Sequence, residues 1–216
     1  MRLGGVLRMP PGDAWRFLEG RRTGRIATVD GEGFPQVIPM NFACSGGSIY
    51  MHSHVRGEKL DNMARDPRAG FEADEELEFL PSYFEDPEDA SQADTLYASV
   101  VAKGEASLVS DRAEKVLALN ALMAKYQPEG RYRPVAAGDA VLGAVAVIRM
   151  APRMVEGKYK IGQHLDPGRR DELARHILGR GSATSVATLR IMGYEVSGGE
   201  ARRARDPSLW PDSFKS

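Results

Sequence analysis

The chain has 216 residues, of which 42% are hydrophobic and 27% are charged, as expected for a folded globular protein of one or two domains. Its formal net charge of -1 excludes the strongly basic surface of a nucleic-acid-binding domain or of a polybasic membrane anchor. No apolar run approaches the roughly 20 residues of a membrane-spanning helix, and the single cysteine excludes an intrachain disulfide. We therefore expect a cytoplasmic location, with no membrane or nucleic-acid partner.

The first part of the chain predicts a helix and then three strands. Asp13 is a suitable N-cap for a helix over residues 14–22. The strands are expected at residues 25–29, 35–43 and 48–54. Pro39 lies inside the second strand, where its missing N–H predicts an edge, a bulge or a break in pairing. Each of these would leave neighbouring backbone groups free to bind a planar heterocycle.

The remaining elements follow from apolar periodicity and from helix-capping residues. Further strands are expected at residues 68–73, 97–109 and 141–150. Helices are expected at residues 57–65, from 111 to Pro128, at 170–178 and at 186–192. Residues 74–94 are acidic with little periodicity, and residues 151–164 are basic and polar, so both are expected to be loops.

Six strands with inserted helices indicate an α+β fold built on a small six-stranded antiparallel barrel. We expect residues 13–164 to form the barrel domain and residues 165–196 a helical extension packed on the same domain. Residues 197–216 are expected to be a loose C-terminal tail.

Side chains that suit a phosphate group converge where the third strand leads into the helix at residue 57. His52 and Ser53 offer hydrogen-bond donors, Arg56 and Lys59 offer positive charge, and Gly57 allows a ligand to approach the backbone. A helix N-terminus adds unpaired N–H groups and a partial positive charge. The sequence therefore predicts a phosphate site here, although a solvated helix start with two surface cations gives the same pattern.

Other chemical sites find less support in the sequence. His52 and His54 share one face of a strand, but no third metal ligand stands at a recognisable spacing, so we expect no metal site. No nucleophile elbow, phosphate-binding P-loop or dinucleotide fingerprint is present.

Four segments in series resemble a known family. They read GRIATVDGEGFPQVIPMNF, IYMHSHVRGEKLDNMARDPRAGFE, SVVAKGEA and VAVIRMAPRMVEGKYKIGQH. Together they are similar to the pyridoxamine 5'-phosphate oxidase-like FMN-binding split-barrel family, and more closely to its branch of nitroimidazole-resistance reductases. The resemblance covers most of residues 16–164 and excludes the later helices.

The resemblance implies a homodimer with FMN at the subunit interface. The isoalloxazine ring would lie along Gln36, Val37, Ile38, Pro39, Met40 and Asn41. The phosphate would be held by His52, Ser53, Arg56, Gly57 and Lys59. The pocket would be closed by Ser99, Val100 and the loop from Lys158 to Lys160.

By this resemblance we expect an FMN-dependent oxidoreductase that passes electrons from a reduced nicotinamide to a nitroaromatic or quinone-like acceptor. A cation near the flavin would raise its reduction potential, and Lys158 and Lys160 are the candidates for this catalytic role, unless both are ordinary loop lysines. Two alternatives remain: a flavin carrier or sensor without turnover, and a barrel that binds haem or a deazaflavin. The chain lacks the basic, Arg-containing C-terminal motif of true pyridoxamine-phosphate oxidases, so vitamin B6 oxidation is not expected.

Overall fold

The computed structural model describes residues 5–204 of the chain. Six antiparallel strands close into a ring in the order β1, β2, β3, β6, β5, β4, with helices inserted between them, so the predicted α+β barrel is confirmed. The strands of the ring are Thr23–Val29 (β1), Pro35–Ser45 (β2), Ser48–His54 (β3), Arg68–Leu80 (β4), Asp94–Leu108 (β5) and Val145–Lys160 (β6). Two short strands, Tyr194–Ser197 (β7) and Glu200–Arg203 (β8), form a separate hairpin.

Six α-helices occur in the described residues. They are Pro11–Gly20 (α1), Glu58–Arg65 (α2), Arg112–Tyr126 (α3), Val141–Ala144 (α4), Pro167–Arg180 (α5) and Ser185–Ile191 (α6). Within residues 5–204, no helix is long and apolar enough to cross a membrane.

Strand β2 changes partner along its length. Residues 35–41 pair with β1, whereas Phe42–Ser45 pair with β3. Beyond Met51, strand β3 pairs only with β6 among its described partners, so it has separated from β2. One edge of β2 over residues 35–41 is therefore left without a strand partner in the described chain.

The two prolines of β2 stand where this open edge tolerates them. The Phe42 N–H donates to the Tyr126 hydroxyl, 2.9 Å away, and that hydroxyl donates to the Arg22 carbonyl beside β1. Backbone groups alternate in direction along a strand, so Pro35 and Pro39 face the open edge. Of the three alternatives that the sequence left for Pro39, an edge, a bulge or a break in pairing, the structure shows an edge, since the pairing register with β1 is uninterrupted.

A compact apolar cluster supports this part of the sheet. Helix α3 packs against β2 and β3, and Ala118, Leu119 and Leu122 on one of its faces are buried. Asp111 caps the helix by accepting from the Glu114 N–H, as the sequence predicts. The Tyr50 hydroxyl donates to the Glu114 carboxylate at 2.8 Å, which joins the first turn of α3 to β3.

The chain divides into two compact units. The first contains the described residues 5–16, 74–99 and 156–204, and the second contains Phe17–Ala73 and Val100–Val155. The domain boundaries expected from the sequence, residues 13–164 with an extension over 165–196, stay a prediction.

The acidic segment at residues 74–94 was expected to be a loop, but residues 74–80 continue strand β4, so the first third of that prediction is wrong. Strand β4 continues to Leu80, and β5 begins at Asp94; only 3₁₀ turns at Ser82–Phe84 and Ala90–Gln92 lie between them. The reason is Glu78, which is buried despite its charge because distant hydroxyl groups donate to its carboxylate. A buried acidic residue hides the apolar alternation that marks a strand.

The basic segment at residues 151–164 is also wrongly predicted as a loop. Strand β6 begins at Val145, after the single turn of α4, and continues to Lys160. The N-terminal segment stabilises its end: the Met9 N–H donates to the Gly157 carbonyl at 2.9 Å, and Arg8 forms a bridge with Lys158. This pairing joins residues about 150 positions apart, which local patterns do not reveal.

The C-terminal part confirms one prediction and corrects another. Helix α5 begins with Asp166 accepting from two backbone N–H groups, with Pro167 next, and it ends at Gly181 in a left-handed conformation. Residues 197–203 were expected to be a loose tail, but the β7–β8 hairpin contains them because Gly198 and Gly199 form its turn with positive φ. The rest of the predicted tail, 205–216, lies outside the described residues.

Candidate functional site

The predicted phosphate junction is formed by the start of α2. Gly57 precedes this helix with φ 152° and ψ 151°, a conformation that an L side chain rarely adopts. The N–H groups of Glu58 and Lys59 lie in the first turn and have no intrahelical acceptor, and Gly57 has no side chain to cap them. The helix therefore directs two backbone donors and its partial positive charge outward.

Two cations stand beside these donors without a carboxylate partner. Arg56 is exposed, and Lys59 is partly exposed with its Nζ 3.9 Å from the position that a Cβ on Gly57 would occupy. Within residues 5–204, neither side chain has a carboxylate oxygen within salt-bridge distance. Their charges are therefore available to an anion at the start of the helix.

The turn that carries Arg56 is ordered by His54, a residue that sequence reasoning did not assign to the cofactor site. The Arg56 N–H donates to His54 Nδ1 at 3.2 Å, and the Ser53 hydroxyl donates to the His54 carbonyl at 2.9 Å. Ser53 must redirect its one proton to donate to a phosphate. His52 is exposed on the same strand.

A buried asparagine joins α2 to the open edge of β2. Asn62 is only 1% exposed, and its amide donates to Thr28 Oγ1 and to Gln36 Oε1, each at 3.3 Å. Its carbonyl oxygen accepts from Arg65, which also donates to the Val29 carbonyl at 2.7 Å. The sequence offered one signal for this role, a polar residue between the apolar positions Leu60 and Met63 of the helix.

The predicted ring-binding strand presents both backbone and side chains. Its side chains alternate: Val37, Pro39 and Asn41 are exposed, whereas Gln36, Ile38 and Met40 are partly buried. The Phe42 N–H points to the side of the strand where β1 lies. Because backbone groups alternate in direction along a strand, the odd-numbered residues of β2 direct theirs to the open edge. Val37 and Asn41 thus offer free N–H donors along this edge, in the same unit as the phosphate junction.

The remaining predicted residues lie on β5 and β6. Ser99 is partly exposed, whereas the Val100 side chain is fully buried, so Val100 can meet a ligand only through its backbone. Lys158 Nζ lies 5.3 Å from the centre of the Tyr97 ring. Ser99 and Lys158 belong to the first unit, and their part in a cofactor site stays a prediction.

The second unit contains an apolar cavity of about 460 Å³. Its wall includes Val29 and Pro35, where β1 and β2 meet, together with Ala69, Gly70 and Met154. Gly104 also lines it, and a Cβ at this position would lie 2.1 Å from the Ala151 carbonyl oxygen. A cavity of this size and polarity suits a flat organic group.

Lys160 lines a different cavity, of about 170 Å³, in the first unit. Its ammonium group pairs with Asp94, and Arg169 pairs with Glu85 at 2.6 Å. Burial, followed by the charge of Lys160, lowers the pKa of His164 in the same wall. Because each of these cations has its own carboxylate, this cavity does not select for an anion.

No metal centre is evident in the described part of the chain, since residues 5–204 contain no group of three histidine, cysteine, aspartate or glutamate side chains placed to hold an ion. His52 and His54 therefore lack a third ligand there.

Comparisons with known proteins give the following matches. A family model described as pyridoxamine 5'-phosphate oxidase matches residues 10–159. A 5-nitroimidazole antibiotic resistance protein from Bacteroides thetaiotaomicron is 19% identical with a TM-score of 0.60, covering 70% of this chain and 86% of its own. The flavocytochrome Anf3 from Azotobacter vinelandii is 20% identical with a TM-score of 0.62, covering 74% and 72%. An FAD- and heme-binding protein from Mycobacterium smegmatis is 18% identical with a TM-score of 0.59, covering 70% and 71%. No curated protein sequence matches the chain.

Proposed function

Because the chain belongs to the pyridoxamine 5'-phosphate oxidase family, we propose that it is an FMN-dependent oxidoreductase. It would pass electrons from a reduced nicotinamide to a small acceptor such as a nitroaromatic compound or a quinone. Bound FMN would supply the electron-transfer chemistry, and the protein would bind it, orient it and set its electrostatic surroundings.

The observation that carries this proposal is the junction of β2, β3 and α2. Among the described residues, the second unit holds a strand edge without a strand partner and a helix start whose two cations have no carboxylate partner. A flavin mononucleotide needs both features: hydrogen-bonding groups for the edge of its ring system and positive charge for its phosphate. The residues therefore fit this cofactor.

Each residue of the junction has a distinct task in the proposal. Arg56 and Lys59 neutralise the phosphate charge, and Gly57 lets the phosphate oxygens reach the N–H groups of the first turn of α2. Val37 and Asn41 present backbone donors to the ring. Asn62 fixes the Gln36 side chain beside the ring-binding edge.

We propose a homodimer with the cofactor at the subunit interface. Phe34 is 64% exposed and Val37 is 57% exposed, and exposed apolar side chains beside a ligand-binding edge support a protein contact there. Light scattering on the purified protein tests the assembly, and a monomer at working concentration would contradict it.

The absorbance spectrum of the purified protein, followed by chromatography of the released cofactor, tests the proposed function. We expect a flavin spectrum and FMN in the extract. Haem, a deazaflavin or FAD would identify a different cofactor; one structural neighbour is a flavocytochrome and another is an FAD- and heme-binding protein. Anaerobic addition of a reduced nicotinamide should bleach the flavin within seconds. A flavin that stays oxidised would indicate a carrier or a sensor.

Lys158 is proposed to raise the flavin reduction potential. Lys158→Ala should slow turnover more than it weakens FMN binding, because the lysine would act on the charge of the reduced ring. Unchanged turnover would refute this role.

A further inference from the structure

The apolar cavity of the second unit has more positive than negative charge in its wall. It is lined by three cations, Arg68, Lys103 and Arg153, and by one carboxylate, that of Glu105. Arg153 forms an ion pair with Glu105, and Arg68 forms one with Asp66. Within residues 5–204, Lys103 has no carboxylate oxygen within salt-bridge distance. One cation of the wall is therefore left without a counterion.

The nearby carboxylates are already engaged, which keeps Lys103 without a partner. Lys103 and Glu105 are two residues apart on β5, so their side chains lie on the same face of the sheet, yet Glu105 pairs across to Arg153 on β6. Asp66 accepts from Arg68 through both of its oxygens, at 3.0 Å and 2.5 Å. The charge of Lys103 is thus available to a ligand in the cavity.

The uncharged part of the wall suits a planar aromatic ring. Ala27, Val29 and Pro35 offer aliphatic carbon, and the Met154 thioether makes favourable contacts with aromatic rings. Gly70 leaves the backbone of β4 uncovered. A Cβ on Gly70 would meet nothing closer than the Ala27 side chain at 3.6 Å, so packing does not demand glycine here. Its missing side chain gives room to a ligand instead.

We propose that this cavity binds a planar aromatic carboxylate, with the ring against the apolar wall and the carboxylate on the Lys103 ammonium group. A carboxylate accepts charge-assisted hydrogen bonds from a lysine. A neutral aromatic compound would gain only the apolar contacts. A dianion would find one unpaired cation and the Glu105 carboxylate in the same wall, so a single negative charge matches the site best.

The cavity is separate from the proposed phosphate site, although it adjoins the proposed ring-binding strand. Among the described residues, its wall includes neither Arg56 nor Lys59. Ala27 in the wall pairs with Val37 of that strand. The inference stands on the cavity and its charges, and it does not depend on the proposed flavin site.

Calorimetric titration of the purified protein at pH 7.5 tests the proposal with two probes of nearly equal shape, 2-naphthoate and its neutral amide, 2-naphthamide. The carboxylate is ionised at this pH. We expect 2-naphthoate to bind at least about fivefold more tightly than 2-naphthamide, the effect of one exposed ion pair. This preference should shrink in 1 M NaCl, because salt screens the charge. Equal affinities, or no binding of 2-naphthoate, would overturn the proposal.

Three variants assign the preference to this wall. Lys103→Gln should lower the affinity for 2-naphthoate about fivefold and leave that for 2-naphthamide unchanged. Glu105→Gln should act in the opposite direction, because it removes the one carboxylate of the wall. Arg131→Gln is the control, since Arg131 is an exposed cation of the same unit that does not line the cavity. An effect of Lys103→Gln no larger than that of the control would overturn the proposal.

Two further measurements separate this ligand from other occupants of the cavity. Saturating FMN should leave the binding of 2-naphthoate in place, and its loss would show that the cavity belongs to the cofactor site. The affinity should also be the same at high and low protein concentration. An affinity that rises on dilution would show that a second copy of the chain covers this face. Either result would overturn the proposal.

Discussion

Two polar regions of this protein use charge in opposite ways. In the first unit, the Glu78 carboxylate is 2% exposed and accepts hydrogen bonds from Ser182 at 2.7 Å, from Thr184 at 2.8 Å and from Arg180 at 3.3 Å. In the second unit, Arg56 is exposed beside a helix start, without a carboxylate partner in the described chain.

The two regions therefore contribute to different properties: the buried carboxylate contributes to stability, and the exposed cation contributes to binding. The Glu78 carboxylate fixes β4 to the segment between α5 and α6, because side chains of that segment donate hydrogen bonds to it. Removing the carboxylate would leave these donors unsatisfied. An exposed cation beside free N–H groups stabilises the fold little and remains available to a ligand. We therefore expect substitutions in the first region to change unfolding and those in the second to change cofactor affinity.

The largest effect is expected for Glu78→Ala. The change leaves Ser182, Thr184 and Arg180 without their shared acceptor, so the free energy of unfolding should fall by about 3–5 kcal/mol. Chemical denaturation measures it. Glu76→Ala, an exposed position on the same strand, is the control and should change stability by less than about 0.5 kcal/mol. Equal effects of the two variants would break the comparison.

Arg56→Ala should act on binding alone. Losing a hydrogen bond to a charged group should raise the Kd for FMN by about 10- to 100-fold. Stability without cofactor should stay within about 0.5 kcal/mol of the unmodified protein. Fluorescence titration with FMN measures affinity, and Arg131→Ala, an exposed cation of the same unit that does not line the apolar cavity, is the control. An unchanged Kd would remove Arg56 from the site.

Asn62→Ala tests a residue that contributes both to stability and to the proposed cofactor site. The amide is buried and joins α2 to Thr28 and Gln36, so we expect the free energy of unfolding to fall by about 1–2 kcal/mol. Because Gln36 loses its support, FMN affinity should also fall, by about threefold. Loss of stability with unchanged affinity would show that the Gln36 orientation does not matter for binding.

The smallest effect concerns an exposed pair of the first unit, in which Asp171 accepts from Arg203 at 2.7 Å and from Tyr194 at 2.6 Å. These hydrogen bonds, with Arg203 the larger cause, hold the pKa of Asp171 below its usual value. A lowered carboxylate pKa adds stability above the usual value of about 4, and this contribution is lost as the pH falls through the folded-state pKa.

Asp171→Asn should therefore cost less than about 1 kcal/mol near neutral pH, because water screens the pair. The difference between the two proteins should shrink as the pH falls below about 4. Unfolding curves measured at several pH values check this, and a difference that is constant with pH would contradict the assignment.

Local patterns predicted those parts of the fold whose partners are near in sequence. Asp166 and Pro167 mark the start of α5, and Asp111 with Glu114 marks that of α3, because a cap bonds within three residues. The phosphate junction is also local, since strand end, glycine and helix start are consecutive. Glu78 and the second half of β6 were missed, because their partners lie about 100 residues or more away.

The sequence by itself determined the class of fold, the capped helices and the cluster of donors around Gly57, all of which rest on side-chain chemistry and spacing within a few residues. Only the tertiary structure decided that β2 has an open edge, that Asn62 supports it, and that Lys103 lines an apolar cavity without a carboxylate partner in the described chain. Each of these depends on which distant segments come together. Burial and pairing change the energy of a polar group by more than its identity does, and neither is encoded locally.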